Sequence, residues 1–254
     1  MKNHKIVLMY HGIVSADSVL PANREVGADL YDVSIANFQE HLTTLTRRNI
    51  AVKRIEEAVA GDVVITFDDG EMNNFRQAMP LLQKHNFPAY FFIITRRVGR
   101  PGYMTIDQLK ALVKGGMIVG SHGMTHEILT NLKNTQIEEE LLTSRRFLER
   151  NLETEIVDLS IPRGFCNDKV INMAYAAGYK NVFISDRPRD LKNPDCHTRT
   201  AVKQNWDIER FEMAINGQVP VKEAMVEKTK NVSKLVLRES GYNWLRSVYI
   251  KIFK

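Results

Sequence analysis

The chain has 254 residues, 44% hydrophobic and 26% charged, an ordinary composition for a globular protein with a sizeable core, built as one large α/β domain or two small ones. No stretch reaches the apolar length of a membrane-spanning helix, and Cys166 and Cys196 form neither a disulfide framework nor a metal-type spacing. The formal charge of +5 lies wholly in residues 221–254, which hold eight Lys/Arg and three Glu; elsewhere 27 basic and 27 acidic side chains cancel, and with no recognition motif this argues against nucleic-acid binding.

In chain order, "MKNHKIVLMYHGIV" reads as a first strand over 5–10 and not as a signal peptide, since it lacks a small-residue cleavage site. A cytoplasmic protein is therefore expected. A helix follows over 34–49, with Ser34 as N-cap and Ile35, Phe38, Leu42 and Leu45 at helical spacing. Strand "VVITF" (63–67) precedes a helix over 74–86, and "AYFFII" (89–94) precedes a helix over 105–116 capped by Thr105. Strand "MIVGSH" (117–122) leads to an amphipathic helix over 135–152. Strands over 155–162, 179–185 and 198–203 and helices over 168–178 and 207–217 complete the alternation.

Strands separated by helices imply parallel pairing through right-handed crossovers, in a barrel or a doubly wound open sheet of about seven strands. No Pro-, Gly- or Ser-rich linker divides the chain, so it reads as one domain over 1–219 with a basic, aromatic-containing extension over 220–254. That extension is either a solvated helical face or a surface attracted to anions, such as the inner face of a membrane or a phosphate-bearing substrate.

In either architecture functional groups collect at the C-terminal ends of the strands. Here those ends carry His11, Asp68 with Asp69, His122 and Arg163. In "SHGMTH" (121–126) a helical turn would aim His122 and His126 the same way, as a divalent metal requires. Two imidazoles and one carboxylate leave coordination positions open for water and substrate. Asp69 can complete that set while Asp68 stays unligated as a base, and Gly70 permits the sharp turn beyond them.

"TFDDG" (66–70) followed by "SHGMTH" resembles the polysaccharide deacetylase family, also called the NodB-homology or carbohydrate esterase family 4 group. "LMYHGI" (8–13) and "RTAVKQNWDIERFEMAING" (199–217) are similar to stretches of its members, so the resemblance spans roughly 5–217. It implies a distorted (β/α)7-type, TIM-like barrel and metal-dependent hydrolysis of N-acetyl groups on amino sugars. By the same resemblance Asp68 is the general base, and Asp69, His122 and His126 hold the metal. Zinc is the first choice, with cobalt, nickel, manganese and iron compatible with the same donors.

The chain departs from the family at several points. Ser160 stands where the family's third motif carries an Arg that orients the base, and Arg163 where an aromatic is expected. Arg163 either takes over that orientation or binds an anionic part of the substrate. Glu71 replaces a further aromatic and is read as a substrate contact. The family's late acidic His has no match: His197 reads as an exposed loop residue before its strand, and His11 is the better-placed candidate acid. His4, His41 and His85 read as surface or helix-end residues. The expected substrate is an amino sugar or glycan, lipid- or nucleotide-linked as suits a cytoplasmic protein, and the tail with Arg163 would suit a phosphate-bearing carrier at the inner membrane face. The alternatives are a carbohydrate-binding protein that has lost catalysis and a hydrolase of small non-sugar amides.

Overall fold

The apolar runs become the staves of a single parallel sheet. The computed structural model describes residues 5–22, 24–185, 196–218 and 220. His4 and, apart from residue 220, the basic extension expected over 220–254 lie outside the described residues. Among the described residues there are ten strands: β1 (Ile6–Tyr10), β2 (Ile13–Val14), β3 (Val33–Ser34), β4 (Val63–Phe67), β5 (Ala89–Ile93), β6 (Ile118–Ser121), β7 (Asp158–Ser160), β8 (Asn181–Ile184), β9 (Cys196–Thr198) and β10 (Thr200–Ala201). The main sheet runs β10-β1-β4-β5-β6-β7-β8-β9, with every neighbouring pair parallel. β2 and β3 form a separate parallel pair that the sequence reading did not foresee.

The two edges of the sheet are covalent neighbours. β9 pairs with β8, β10 pairs with β1, and only Arg199 lies between β9 and β10. One kinked segment thus closes the ring, so the expected seven staves become a barrel and not an open sheet. Arg199 N–H donates to Ile184 O at 3.0 Å, and Val202 N–H to Met9 O at 2.9 Å, stitching the seam on both sides.

β1, β4 and β5 are buried at every residue, which is why they read as continuous apolar runs without polar alternation. Alternate residues divide between two clusters. Val7, Val64, Tyr90, Phe92 and Phe183 pack together, while Leu8, Ile65, Phe67 and Phe91 join the larger core beneath the helices. The period of two places Thr66 and Asp68 on the same side of β4 as Val64, facing the barrel interior.

Among the described residues six α-helices cover the outside: α1 (Ile35–Arg47), α2 (Met79–Lys84), α3 (Ile106–Lys114), α4 (Asn134–Leu152), α5 (Asp168–Ala176) and α6 (Ile208–Ile215). Ser34 Oγ caps α1 by accepting from Asn37 N–H, and Thr105 with Gln108 forms a capping box on α3. The helix expected over 74–86 begins instead as a π-helical turn, Asn74–Ala78, that runs into α2 at Pro80, where the ladder lacks a donor.

His41, expected at the surface, is buried on the inner face of α1. Its ring stacks on Phe211 with centroids 3.9 Å apart, and Tyr10 Oη lies 3.1 Å from its Nδ1. It sits between Phe38 and Leu42 on the apolar stripe, and burial lowers its pKa to about 4. His197 falls within β9, part-buried against Phe183 at 5.2 Å, and not in a loop ahead of its strand.

Candidate active site

Because the strands are parallel, their C-terminal ends share one rim, and the polar residues read from the sequence meet there. Asp68 N–H donates to Tyr10 O at 3.0 Å, and His122 N–H to Ile93 O at 2.9 Å, so both residues continue their ladders and are aimed by the sheet itself. Immediately beyond, Asp69 (φ 72) and Gly70 (φ 72) both adopt the left-handed conformation that turns the chain off the strand. A Cβ at Gly70 would press on Ile93 at 3.1 Å.

Asp69 Oδ1 lies 3.7 Å from His122 Nε2 and 3.6 Å from His126 Nε2, and the two Nε2 atoms are 3.2 Å apart. His122 Nδ1 donates to Ser160 O at 2.8 Å, and His126 Nδ1 to Glu25 Oε1 at 2.7 Å. With a proton on each Nδ1, both Nε2 lone pairs point inward at the carboxylate oxygen. Burial, partly opposed by Asp68, lowers the His122 pKa to about 4, which keeps that imidazole neutral. Asp69 Oδ1 is buried without a hydrogen-bond partner. Three converging acceptors with no donor among them repel one another unless a cation joins them, so the donor set fits a divalent metal.

The convergence does not come from a helical turn. Residues 122–126 form an irregular loop with Gly123 at φ 76 and His126 at φ 74. Glu140 of α4 organises that loop: Oε2 accepts from Met124 N–H at 2.7 Å and Thr125 N–H at 3.0 Å, and Oε1 accepts from the Thr125 hydroxyl. Nothing in the sequence spacing pointed to Glu140, since its partners lie on a different element.

Asp68 is held by the fork of Arg199. Nη1 donates to Oδ1 at 2.7 Å and Nη2 to Oδ2 at 2.8 Å. Arg199 Nη2 also donates to Ser160 Oγ at 2.8 Å and Nη1 to Thr66 Oγ1 at 3.2 Å, while its guanidinium lies over Phe92. Burial alone would raise the Asp68 pKa, but Arg199, with smaller contributions from His122 and His11, outweighs it and holds the carboxyl well below the usual range. The small Ser160 leaves room for this guanidinium on the β7 side. The orientation of Asp68 considered for Arg163 is therefore made by Arg199, delivered by the barrel-closing segment. The sequence signal was an Arg ahead of a short strand, with nothing to identify its partner.

Arg163 lies elsewhere on the rim, in the left-handed region (φ 58), with Nε 3.6 Å from Glu25 Oε2. Glu71 is 2% exposed: Oε1 accepts from Arg24 Nε at 2.7 Å and Oε2 from Asn73 Nδ2 at 2.7 Å, partners that stand where a substrate contact was expected. Burial, opposed by Arg24, raises its pKa to about 6. His11 packs against Tyr31 with centroids 5.1 Å apart, and its Nδ1 is buried with no hydrogen-bond partner.

The sequence model of the family described as Polysaccharide deacetylase matches residues 56–182, half of the chain. The chain belongs to the polysaccharide deacetylase family. Among curated relatives, it is 27% identical to the protein YxkH of Bacillus subtilis over 68% of this chain and 62% of that one. It is 33% identical to a peptidoglycan-N-acetylglucosamine deacetylase of Bacillus cereus over 52% of this chain and 61% of that one. This deacetylase-family chain thus spans about six tenths of the length of those relatives. Among solved structures, a polysaccharide deacetylase from Bacillus cereus superposes with a TM-score of 0.71 at 26% identity, covering 84% of this chain and 69% of that one. The Streptococcus pyogenes deacetylase PplD shares the fold, with a TM-score of 0.72 at 21% identity over 85% of this chain and 99% of that one.

Proposed function

We propose that the protein is a metal-dependent N-deacetylase that hydrolyses the acetamide of an amino sugar to the free amine and acetate. The observation that carries this reading is the buried Asp68–Arg199 pair standing beside the Asp69–His122–His126 tripod. A carboxylate kept ionised next to a metal-holding set is more than a binding site needs. A divalent metal held by Asp69, His122 and His126, zinc first among the candidates, would supply Lewis-acid polarisation and lower the pKa of bound water.

The residues of the chain supply the rest. Asp68 takes the proton from the attacking water. Arg199 and the Ser160 hydroxyl (3.3 Å from Oδ2) occupy three of the four acceptor positions of its carboxylate, leaving one for that water. Arg199 holds Asp68 ionised at the cost of basicity, so Asp68 suits a water already acidified. When the C–N bond breaks, the leaving nitrogen must gain a proton. His11, on the same rim and close enough to lower the Asp68 pKa, is assigned as its donor.

The test is acetate release from N-acetylglucosamine oligomers by metal-loaded protein, with Asp68→Asn as control. The substitution should lower turnover by about 10²–10⁴-fold with the metal retained. No release from the wild type on any acetylated amino sugar would overturn the reading. Contact with a phosphate-bearing carrier at a membrane face rests on Arg163 and the basic residues of 221–254. That contact predicts vesicle flotation that is lost on deleting the segment, and equal flotation would dismiss it.

A further inference from the structure

Arg24 and Glu25 are neighbours in the chain, yet each reaches a different loop of the candidate metal centre. Arg24 Nε donates to Glu71 Oε1 at 2.7 Å, two residues beyond Asp69, while its Nη1 donates to Asp32 Oδ2 at 2.7 Å. Glu25 Oε1 accepts from His126 Nδ1 at 2.7 Å, and Glu25 Oε2 faces Arg163 Nε at 3.6 Å. We propose that Arg24–Glu25 is a strap holding the two ligand-bearing loops in register, with Glu25 the positioning residue that sets the tautomer and aim of His126. This rests on the metal reading above.

The two imidazoles need different help. His122 follows a strand, and a backbone carbonyl suffices to fix its Nδ1 proton. His126 lies in irregular chain at φ 74, where no ladder aims it, so a side chain must. A carboxylate on Nδ1–H fixes the ring and raises the donor strength of Nε2, and loss of such a partner ordinarily weakens metal binding by about 10–100-fold. Arg24, anchored on Asp32 and Glu71, fixes where Glu25 begins. The strap lies outside residues 56–182, so it belongs to the part of this chain that the family match does not reach.

The experiment measures the zinc affinity of the full chain by competition with a chromophoric chelator, for wild type, Glu25→Ala and Glu25→Gln, with the thermal midpoint of each metal-free protein. Glu25→Ala should bind zinc about 10–100-fold more weakly. Glu25→Gln, which keeps an acceptor for Nδ1–H, should recover much of the loss, and the metal-free midpoints should agree. Zinc affinity of Glu25→Ala within twofold of wild type overturns the strap while leaving the metal reading intact. So does an affinity loss that follows a falling metal-free midpoint and is not recovered by Gln, which would make Glu25 a folding residue. Wild type that binds neither zinc nor cobalt, nickel, manganese or iron in the same competition removes the metal reading, and the strap with it.

Discussion

Arg199 and Asp68, 131 residues apart in sequence, meet through two parallel N–H···O bonds of 2.7 and 2.8 Å in the barrel interior. Neither could be buried alone: each charge is tolerable there only because the other completes it. Removing the guanidinium by Arg199→Met should therefore destabilise the fold by about 3–5 kcal/mol, read as a lower urea midpoint. Arg199→Lys keeps the charge but loses the fork. Losing one charge-assisted bond, about 1.5–3 kcal/mol, should lower turnover roughly 10–150-fold if that bond serves the transition state. Wild-type turnover in the Lys variant would show that only charge matters.

Arg24 joins two buried carboxylates, Asp32 and Glu71, and its removal would leave both without their cation. Arg24→Met should cost about 3–5 kcal/mol in chemical denaturation. The space is tight, since a Cβ at Gly12 would collide with the Asp32 carboxylate, so Gly12→Ala should also lower the midpoint. A neutral Arg24→Met would mean that solvent reaches both carboxylates.

Glu140 shapes the loop that carries His126. Glu140→Ala strands the N–H groups of Met124 and Thr125, at about 1–3 kcal/mol for each group left unsatisfied. Glu140→Gln keeps an oxygen for both, and the Thr125 hydroxyl can turn to accept from the new amide, so its effect should be small. Paired thermal melts separate the two, and equal losses would count against the loop-shaping role.

His41, between the Tyr10 hydroxyl and the Phe211 ring, has its pKa lowered to about 4 by burial. In the unfolded chain it titrates near 6.5, so the unfolded state binds the extra proton first. Its contribution is complete above pH 6.5 and is lost as pH falls from there towards 4, on the order of 3 kcal/mol in all. Urea midpoints measured from pH 7 to pH 4.5 should fall more steeply for wild type than for His41→Gln. Parallel curves would place the acid sensitivity elsewhere.

Much of this was legible in local sequence. Seven apolar runs and their caps gave the staves, and the rule that strand ends carry function brought His11, Asp68, Asp69 and His122 to one rim. What escaped was long-range. Arg199, Glu25 and Glu140 act across the fold, and a charged side chain does not announce its partner through spacing. Arg163 looked closer to Asp68 in sequence, yet its left-handed backbone and Glu25 hold it elsewhere on the rim. The His122–His126 spacing suggested a helix because four residues make about one turn; the glycine at 123 was the contrary sign. His41 could have been found, as it stands three residues after Phe38 and four before Leu45 on the apolar stripe of α1.

The closing segment, residues 196–201, ties assembly to the candidate site. The residue that completes the ring is also the residue that holds Asp68 ionised, so on the proposed mechanism closing the seam also readies the base. On the proposed mechanism, a chain still open between β8 and β1 would lack the guanidinium that keeps Asp68 ionised, and should release no acetate even if Asp69, His122 and His126 held a metal. The same is expected of a fragment trimmed to residues 56–182, which keeps Asp68, Asp69, His122 and His126 but lacks Arg199, His11 and Glu25.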